Sequence, residues 1–326
     1  MMKAKLQRRS AIVAILGAAF AAHGVAAQQT SAPIRRVAVL SPGTTETRPV
    51  FVAFRTRLRE LGYVEGRDVV LEFHFANGGE RLASLAQAIA RDGAGLVLAD
   101  GRLAAQAMHA ASRTIPIVAV TGLPVELGLG ASLARPGGNV TGIATMSSEL
   151  GAKQLEFLHE ILPSARRIGV VDASISAPSY IALEERAAAL GVTLRRILLR
   201  TQIDAERELA PAALRDVDGL VLPPSALIAQ FSAVLVRLID AAGKPAIYGD
   251  RDFVAAGGLI FYSIDIDDAF RRAASLVDRV LKGADPATTP FEQPTRITLV
   301  VNLKAAKALG LTLPPAIIAR ADEVIE

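Results

Sequence analysis

Six short polar segments, each directly after a run of apolar residues, mark where this chain could do chemistry. They are Ser41-Pro42-Gly43, Asp100-Gly101, Thr121-Gly122, Asp172-Ala173-Ser174, Pro223-Pro224-Ser225 and Gly249-Asp250. Their chemistry is recognition. Each offers small residues, a hydroxyl or a carboxylate beside backbone N–H groups. Where such a segment opens a helix, the first N–H groups and the helix dipole favour an anionic group such as a carboxylate. Ser and Asp at these places also serve as ordinary caps, so the weight rests on the set and not on any one member.

Signals for bond-making chemistry are weak. Outside the first 27 residues the histidines are His74, His109 and His159, far apart and without H-E-x-x-H spacing. With no cysteine in the chain, no metal site is expected. There is no G-x-S-x-G elbow, no G-x-x-x-x-G-K-[ST] phosphate loop and no G-x-G-x-x-G opening a helix, so no cofactor is expected. An exported α/β enzyme using Asp100 or Asp172 for acid–base work would need a nucleophile–base pair or a cofactor motif. Asp265-Ile266-Asp267-Asp268 lacks the central Gly and closing Glu of a calcium loop; it reads as an acidic helix start. Asn139-Val140-Thr141 matches a glycosylation sequon but follows Gly137-Gly138, a turn context.

The elements that must position the six segments alternate. Arg36–Leu40, Val69–Phe75, Leu96–Ala99 and Ile117–Val120 read as short buried strands; Val50–Leu61, Arg81–Arg91 and Leu103–Ser112 carry helical apolar spacing. After Ala131–Thr145, whose Arg135-Pro136-Gly137-Gly138-Asn139 favours a turn and marks a boundary, the pattern restarts. Helices are expected over Leu150–Ile161, Tyr180–Leu190 and Ala226–Ala242, with strands at Ile168–Val171, Thr193–Leu199, Leu220–Leu222 and Ala246–Tyr248. From Tyr248 onward come a short apolar strand, an amphipathic helix with Phe270, Ala273, Ala274, Val277 and Leu281 at core spacing, a Pro/Gly-rich hinge, another strand and a final helix. Continuous apolar strands separated by helices mean parallel sheets covered on both faces. Two such runs mean an α/β protein of two doubly wound lobes. Ligands in open parallel sheets sit beyond the carboxyl ends of the strands, which is where the six segments lie.

The first residues fix the expected compartment. Lys3, Lys5, Arg8 and Arg9, an apolar run from Ala11 to Ala22 and Val25-Ala26-Ala27 form a signal-peptide pattern with cleavage near Ala27 and a periplasmic destination. The run is about 12 residues, short of the ~20 needed to span a bilayer. The chain carries 36 Lys+Arg and 32 Asp+Glu. The leader holds four of the basic residues and no acidic one, so the remainder is balanced at 32 against 32. A near-neutral protein lacks the electrostatic footprint of a nucleic-acid binder, and no later apolar segment is long enough to span a membrane.

Several stretches carry a resemblance. Val39-Leu40-Ser41-Pro42-Gly43, LRELGYVEG (58–66), TIPIV (114–118), SLARPGGNVTG (132–142), YGDRDFVAAGGL (248–259) and the block from Phe270 to Glu326, with RRAASLVDRVLKGADP, VNLKAAKALGL and ARADEVIE, resemble the ABC-transporter substrate-binding protein family. The likeness is to its type I periplasmic-binding fold, in the branch that includes tryptophan/tyrosine-type amino-acid binders. The resemblance covers nearly the whole chain after the leader.

It implies two lobes joined by a three-crossing hinge, with crossings near Met146, Ser263 and Glu292. Lobe one is then 34–146 plus 264–292, and lobe two 147–263 plus 293–326. It also implies an amino-acid-like or carboxylate ligand bound between the lobes by hinge closure, and an ABC permease as partner. A ligand ammonium would need a carboxylate; the resemblance places Asp265 there, where it could equally cap the helix starting near Asp267. Tyr248 and Tyr262 are candidates for stacking on a flat ligand. Small residues usual after strand three are replaced by Asp100-Gly101-Arg102, the usual Gly-Asp-Pro by Gly122-Leu123-Pro124, and the usual Asn-Pro by Asp172-Ala173-Ser174. This chain therefore departs from its relatives where it would touch a ligand. The same fold also serves as a sensor domain for membrane signalling partners, the second reading of the resemblance.

Overall fold

The protein, as a computed structural model, is described over residues 34–173, 177–294 and 296–326. The first run of elements is β1 (Arg35–Ser41), α1 (Pro49–Glu60), β2 (Val69–Phe75), α2 (Leu82–Arg91), β3 (Leu96–Asp100), α3 (Gly101–Ala111), β4 (Ile117–Thr121) and β5 (Val140–Ala144). Its strands form one sheet in the order β2-β1-β3-β4-β5, parallel throughout. Strands β3, β4 and β5 are buried along their whole length, which is why β3 and β4 read as unbroken apolar runs.

The second run is α4 (Ser147–Ile161), β6 (Arg167–Asp172), α5 (Ala177–Leu190), β7 (Thr193–Leu198), α6 (Gln202–Glu208), β8 (Gly219–Leu222), α7 (Ala226–Ala229), α8 (Ser232–Ala241), β9 (Ala246–Tyr248), α9 (Arg251–Ala255) and β10 (Ile260–Ile264). It is followed by α10 (Ile266–Leu281), β11 (Ile297–Asn302), α11 (Leu303–Ala308), α12 (Pro315–Arg320) and β12 (Glu323–Ile325). These strands make a seven-stranded sheet, β12-β11-β10-β9-β8-β6-β7. The protein is thus α/β with two lobes, each a largely parallel sheet clad in helices.

The chain passes between the sheets three times. It leaves β5 for α4, leaves β10 for α10, and returns between Glu292, bridged to Ile143 of β5, and β11. Helix α10 packs with the first sheet: Phe270, Ala273, Ala274 and Val277 share a core with Val37, Val39, Phe51 and Phe54. The Phe51 and Phe270 rings meet edge to face at 5.7 Å, a favoured aromatic geometry.

The third return explains the strand that breaks the parallel pattern. Strand β10 exits at its carboxyl end and the chain re-enters the second sheet at that same end, so β11 runs antiparallel to β10. Two other features differ from the sequence reading. Strand β5 forms inside the 131–145 segment taken as a boundary, because Val140–Ala144 is buried on both sides and completes the first sheet. The helix expected over 226–242 divides into α7 and α8. The first turn buries Leu227, Ile228 and Ala229 together, which a one-sided helix cannot do; the chain resets at Gln230–Phe231, and α8 buries Leu235, Val236 and Ile239 on one face.

Candidate functional site

The carboxyl ends of strands from both sheets open on one cavity of about 100 Å³. The first sheet contributes Pro42 after β1, Asp100 at the end of β3 with Gly101, Arg102 and Leu103 opening α3, and Val120 to Leu123 at the end of β4. The second contributes Val170 and Asp172 of β6, Pro223 to Leu227 after β8, Gly249-Asp250 after β9, and Ser263-Ile264 of β10. Thr145, Ser147 and Ile266 line it from the crossings. Gly249 permits the tight nesting of two of these turns: a Cβ there would lie 2.4 Å from the Pro224 nitrogen.

Two ion pairs set the electrostatics. Arg48, at the N-cap of α1 ahead of Pro49, places Nη1 2.9 Å from Asp100 Oδ2, with the two side chains only 12% and 4% exposed. Ser41 Oγ donates to the same carboxylate at 2.7 Å and accepts from the Gly43 N–H at 3.0 Å, so the first strand-end turn is built around Asp100. The second pair crosses the cleft: Arg102 Nη2 of α3 lies 3.2 Å from Asp172 Oδ2 of β6, whose Oδ1 accepts from the Ala173 N–H at 2.6 Å. Leu103, one residue on, packs against the core of the second sheet as well as its own.

Asp250 differs from these carboxylates. It caps α9 by accepting from the Asp252 N–H at 3.1 Å. Burial first, then the charge of Asp252, pushes its carboxyl up to about 6, with Arg48 opposing. Ser263, 1% exposed, has an Oγ without a hydrogen-bond partner among the described residues. The apolar walls are aliphatic, and among the described residues no aromatic ring lines the cavity.

Of the residues singled out by sequence, Pro42, Asp100, Gly101, Thr121, Gly122, Asp172, Ser225 and Asp250 line this cavity. Ser41 and Gly43 stand behind it, supporting Asp100. Ser174 lies outside the described residues. Three candidates lie elsewhere. Tyr248 is stacked on Phe253 at 4.7 Å inside the second core. Tyr262 packs on Phe157 at 4.8 Å, because alternation along β10 turns it away from the side that Ser263 faces. Asp265 caps α10, accepting from the Asp268 N–H at 3.0 Å, and borders a second cavity with Asp252 and Asp267. The sequence reading missed Arg48, Thr145, Ser147 and Ser263, and had Leu123 only as a departure from the family pattern at the cleft. Arg48 had a signal, since a residue before Pro at a helix start is an N-cap. Ser263 had only its polarity within an apolar strand.

Comparison with known proteins agrees with this architecture. The tyrosine-binding protein of Clostridioides difficile (strain R20291) is 27% identical over 264 residues, 79% of this chain and 75% of that protein. An ABC domain from Streptococcus pneumonia in complex with L-Trp superposes with a TM-score of 0.81 at 24% identity, covering 90% of this chain and 100% of that one. A ligand-free, open substrate binding protein with adhesive properties from Clostridium difficile gives a TM-score of 0.59 at 23% identity, covering 90% and 99%. The family model for ABC transporter substrate binding proteins matches residues 37–325, and this chain belongs to that family.

Proposed function

We propose that this chain is the exported solute receptor of an ABC importer, closing on a small amino-acid-like or carboxylate solute and presenting it to a permease. The observation that carries the reading is the cavity itself. Strand ends of two sheets, joined by three crossings, converge on one space with charged, hydroxyl and aliphatic groups from both sides. The lobes are 34–146 plus 264–292 and 147–263 plus 293–326. Met146, left-handed at φ 52°, sits at the first crossing and is a natural hinge point. Direct contacts across the cleft, Arg102 to Asp172 and Leu103 on the second core, support a closed arrangement. So does the better superposition on the L-Trp complex than on the open structure. A solute that touches both lobes stabilises this closed state by its differential contacts. A solute carboxylate would meet the N-termini of α3 and α4 beside Thr121, Thr145 and Ser147.

Residues 1–27 are the proposed leader, cleaved near Ala27, and the proposed location is the periplasm. No described helix is long and apolar enough to cross a membrane. A thermal-shift panel of amino acids, small carboxylates, sugars and nucleosides on the purified protein tests the receptor reading. A true solute at 100 times its Kd adds ~2.7 kcal/mol of stability. Turnover of the bound compound would move the protein to an enzyme class.

A further inference from the structure

We propose, resting on the receptor reading above, that the cleft selects a compact aliphatic solute bearing a protonated amine, a short aliphatic amino acid or amine, held by Asp250 and Ser263. Four observations converge. Each arginine lining the cavity is within ion-pair distance of one carboxylate, Arg48 of Asp100 and Arg102 of Asp172. Asp250, the third carboxylate, has no cation at that distance among the described residues. Its Oδ1 accepts from the Asp252 N–H, and the residue lines the cavity.

Ser263 supplies the second group. Strand β10 pairs with β9 so that Phe261 lies opposite Tyr248; Ser263 and Asp250 are each two residues further toward the cleft. Both line the cavity, and a buried hydroxyl without a partner among the described residues is costly to leave unsatisfied. An ammonium, with three donors and no acceptor, satisfies both at once. The burial that raises the Asp250 carboxyl fits a group that becomes fully ionised when a cation arrives.

Size and lining argue against a ring. The cavity of about 100 Å³ is small beside the ~300–1,000 Å³ of clefts that hold drug-sized ligands. Its walls are Val120, Leu123, Leu183 and Leu227, and the Tyr248 ring that could have stacked on an aromatic solute is stacked on Phe253 instead.

Isothermal titration of the purified protein at neutral pH tests this with glycine, L-alanine, L-valine, L-leucine and 4-aminobutyrate. The comparison arms are L-tyrosine, L-tryptophan and the amine-free acids propionate and isovalerate. An aliphatic amine binding about 100-fold more tightly than both comparison sets is expected. Asp250→Asn keeps the helix cap, since Asn caps as well as Asp, and should weaken that solute about 30-fold with no loss of melting temperature. Ser263→Ala should weaken it about tenfold. Tighter binding of tyrosine or tryptophan, equal binding of an amine-free acid, or an unaltered affinity in Asp250→Asn overturns the proposal and leaves the receptor reading standing, as does binding of a sugar in place of any amine. No thermal shift with any pure solute or with a whole-cell metabolite extract overturns both.

Discussion

Replacing Gly101 with alanine separates closure from folding. Gly101 opens α3 at φ +84°, a left-handed conformation that costs a residue with a Cβ about 1–2 kcal/mol. That strain is local and acts in open and closed forms alike. The added Cβ would also lie 2.9 Å from the Ala226 Cβ of α7, a group on the opposite lobe. Carbon atoms prefer about 3.5–4.0 Å, so the lobes must separate by roughly an ångström or repack. Overpacking of this kind costs about 1–3 kcal/mol, and here the cost falls on the closed form alone.

The melting temperature of the ligand-free protein should therefore drop by a few degrees, since ~1–2 kcal/mol moves a domain of this size by about 2–4 °C for each kcal/mol. Solute affinity measured by titration should fall about 5- to 150-fold, at about 1.4 kcal/mol for each tenfold change. Ala226→Gly in the same chain removes the clash but not the strain. The double variant should recover most of the affinity and none of the melting temperature, a coupling that only groups in contact display. Parent-like affinity in Gly101→Ala, or no recovery in the double variant, would refute the claim that these two turns meet on closure.

Two further outcomes follow from the charges. Asp250 holds its proton in the folded protein up to about 6, against an ordinary 3.8, so the folded state binds more protons than the unfolded one between those values. Stability from this group is fully present below about 4 and is lost as pH rises through 6, a difference of order 1–3 kcal/mol. Urea melts from pH 4 to 7 should show Asp250→Asn gaining on the parent as pH rises; a gap that stays constant across the range would reject the assignment. Arg102→Ala removes the cross-cleft ion pair to Asp172 and with it a contact that favours closure. Small-angle scattering at a solute concentration near the parent's Kd should then report a larger radius of gyration for the variant than for the parent, and an unchanged radius would show that the pair does not hold the lobes together.

Most of the architecture is legible along the chain because burial on both faces leaves a local mark. Val69–Phe75 and Ala246–Tyr248 stand in the structure with the bounds their composition announces. The strand-end rule likewise located Asp100, Thr121, Asp172 and Asp250, since a polar residue ending a buried strand is visible without knowing its neighbours. Where local pattern is ambiguous the reading failed. Val140–Ala144, with its Thr and Gly, does not look like a strand until β4 pairs with it, and a buried turn around Leu227 breaks a helix that periodicity would continue.

Recognition was decided by tertiary structure alone. Ser41 meets Asp100 across 59 residues of sequence and Arg102 meets Asp172 across 70, so no local window could say which carboxylates would be paired and which left bare. The direction of the Tyr248 and Tyr262 rings, and the placement of Asp265 at the N-cap of α10, depend on strand register and helix placement. Sequence determines what each segment buries because hydrophobicity acts on single residues; the identity of a binding surface belongs to distances between segments, which only packing sets.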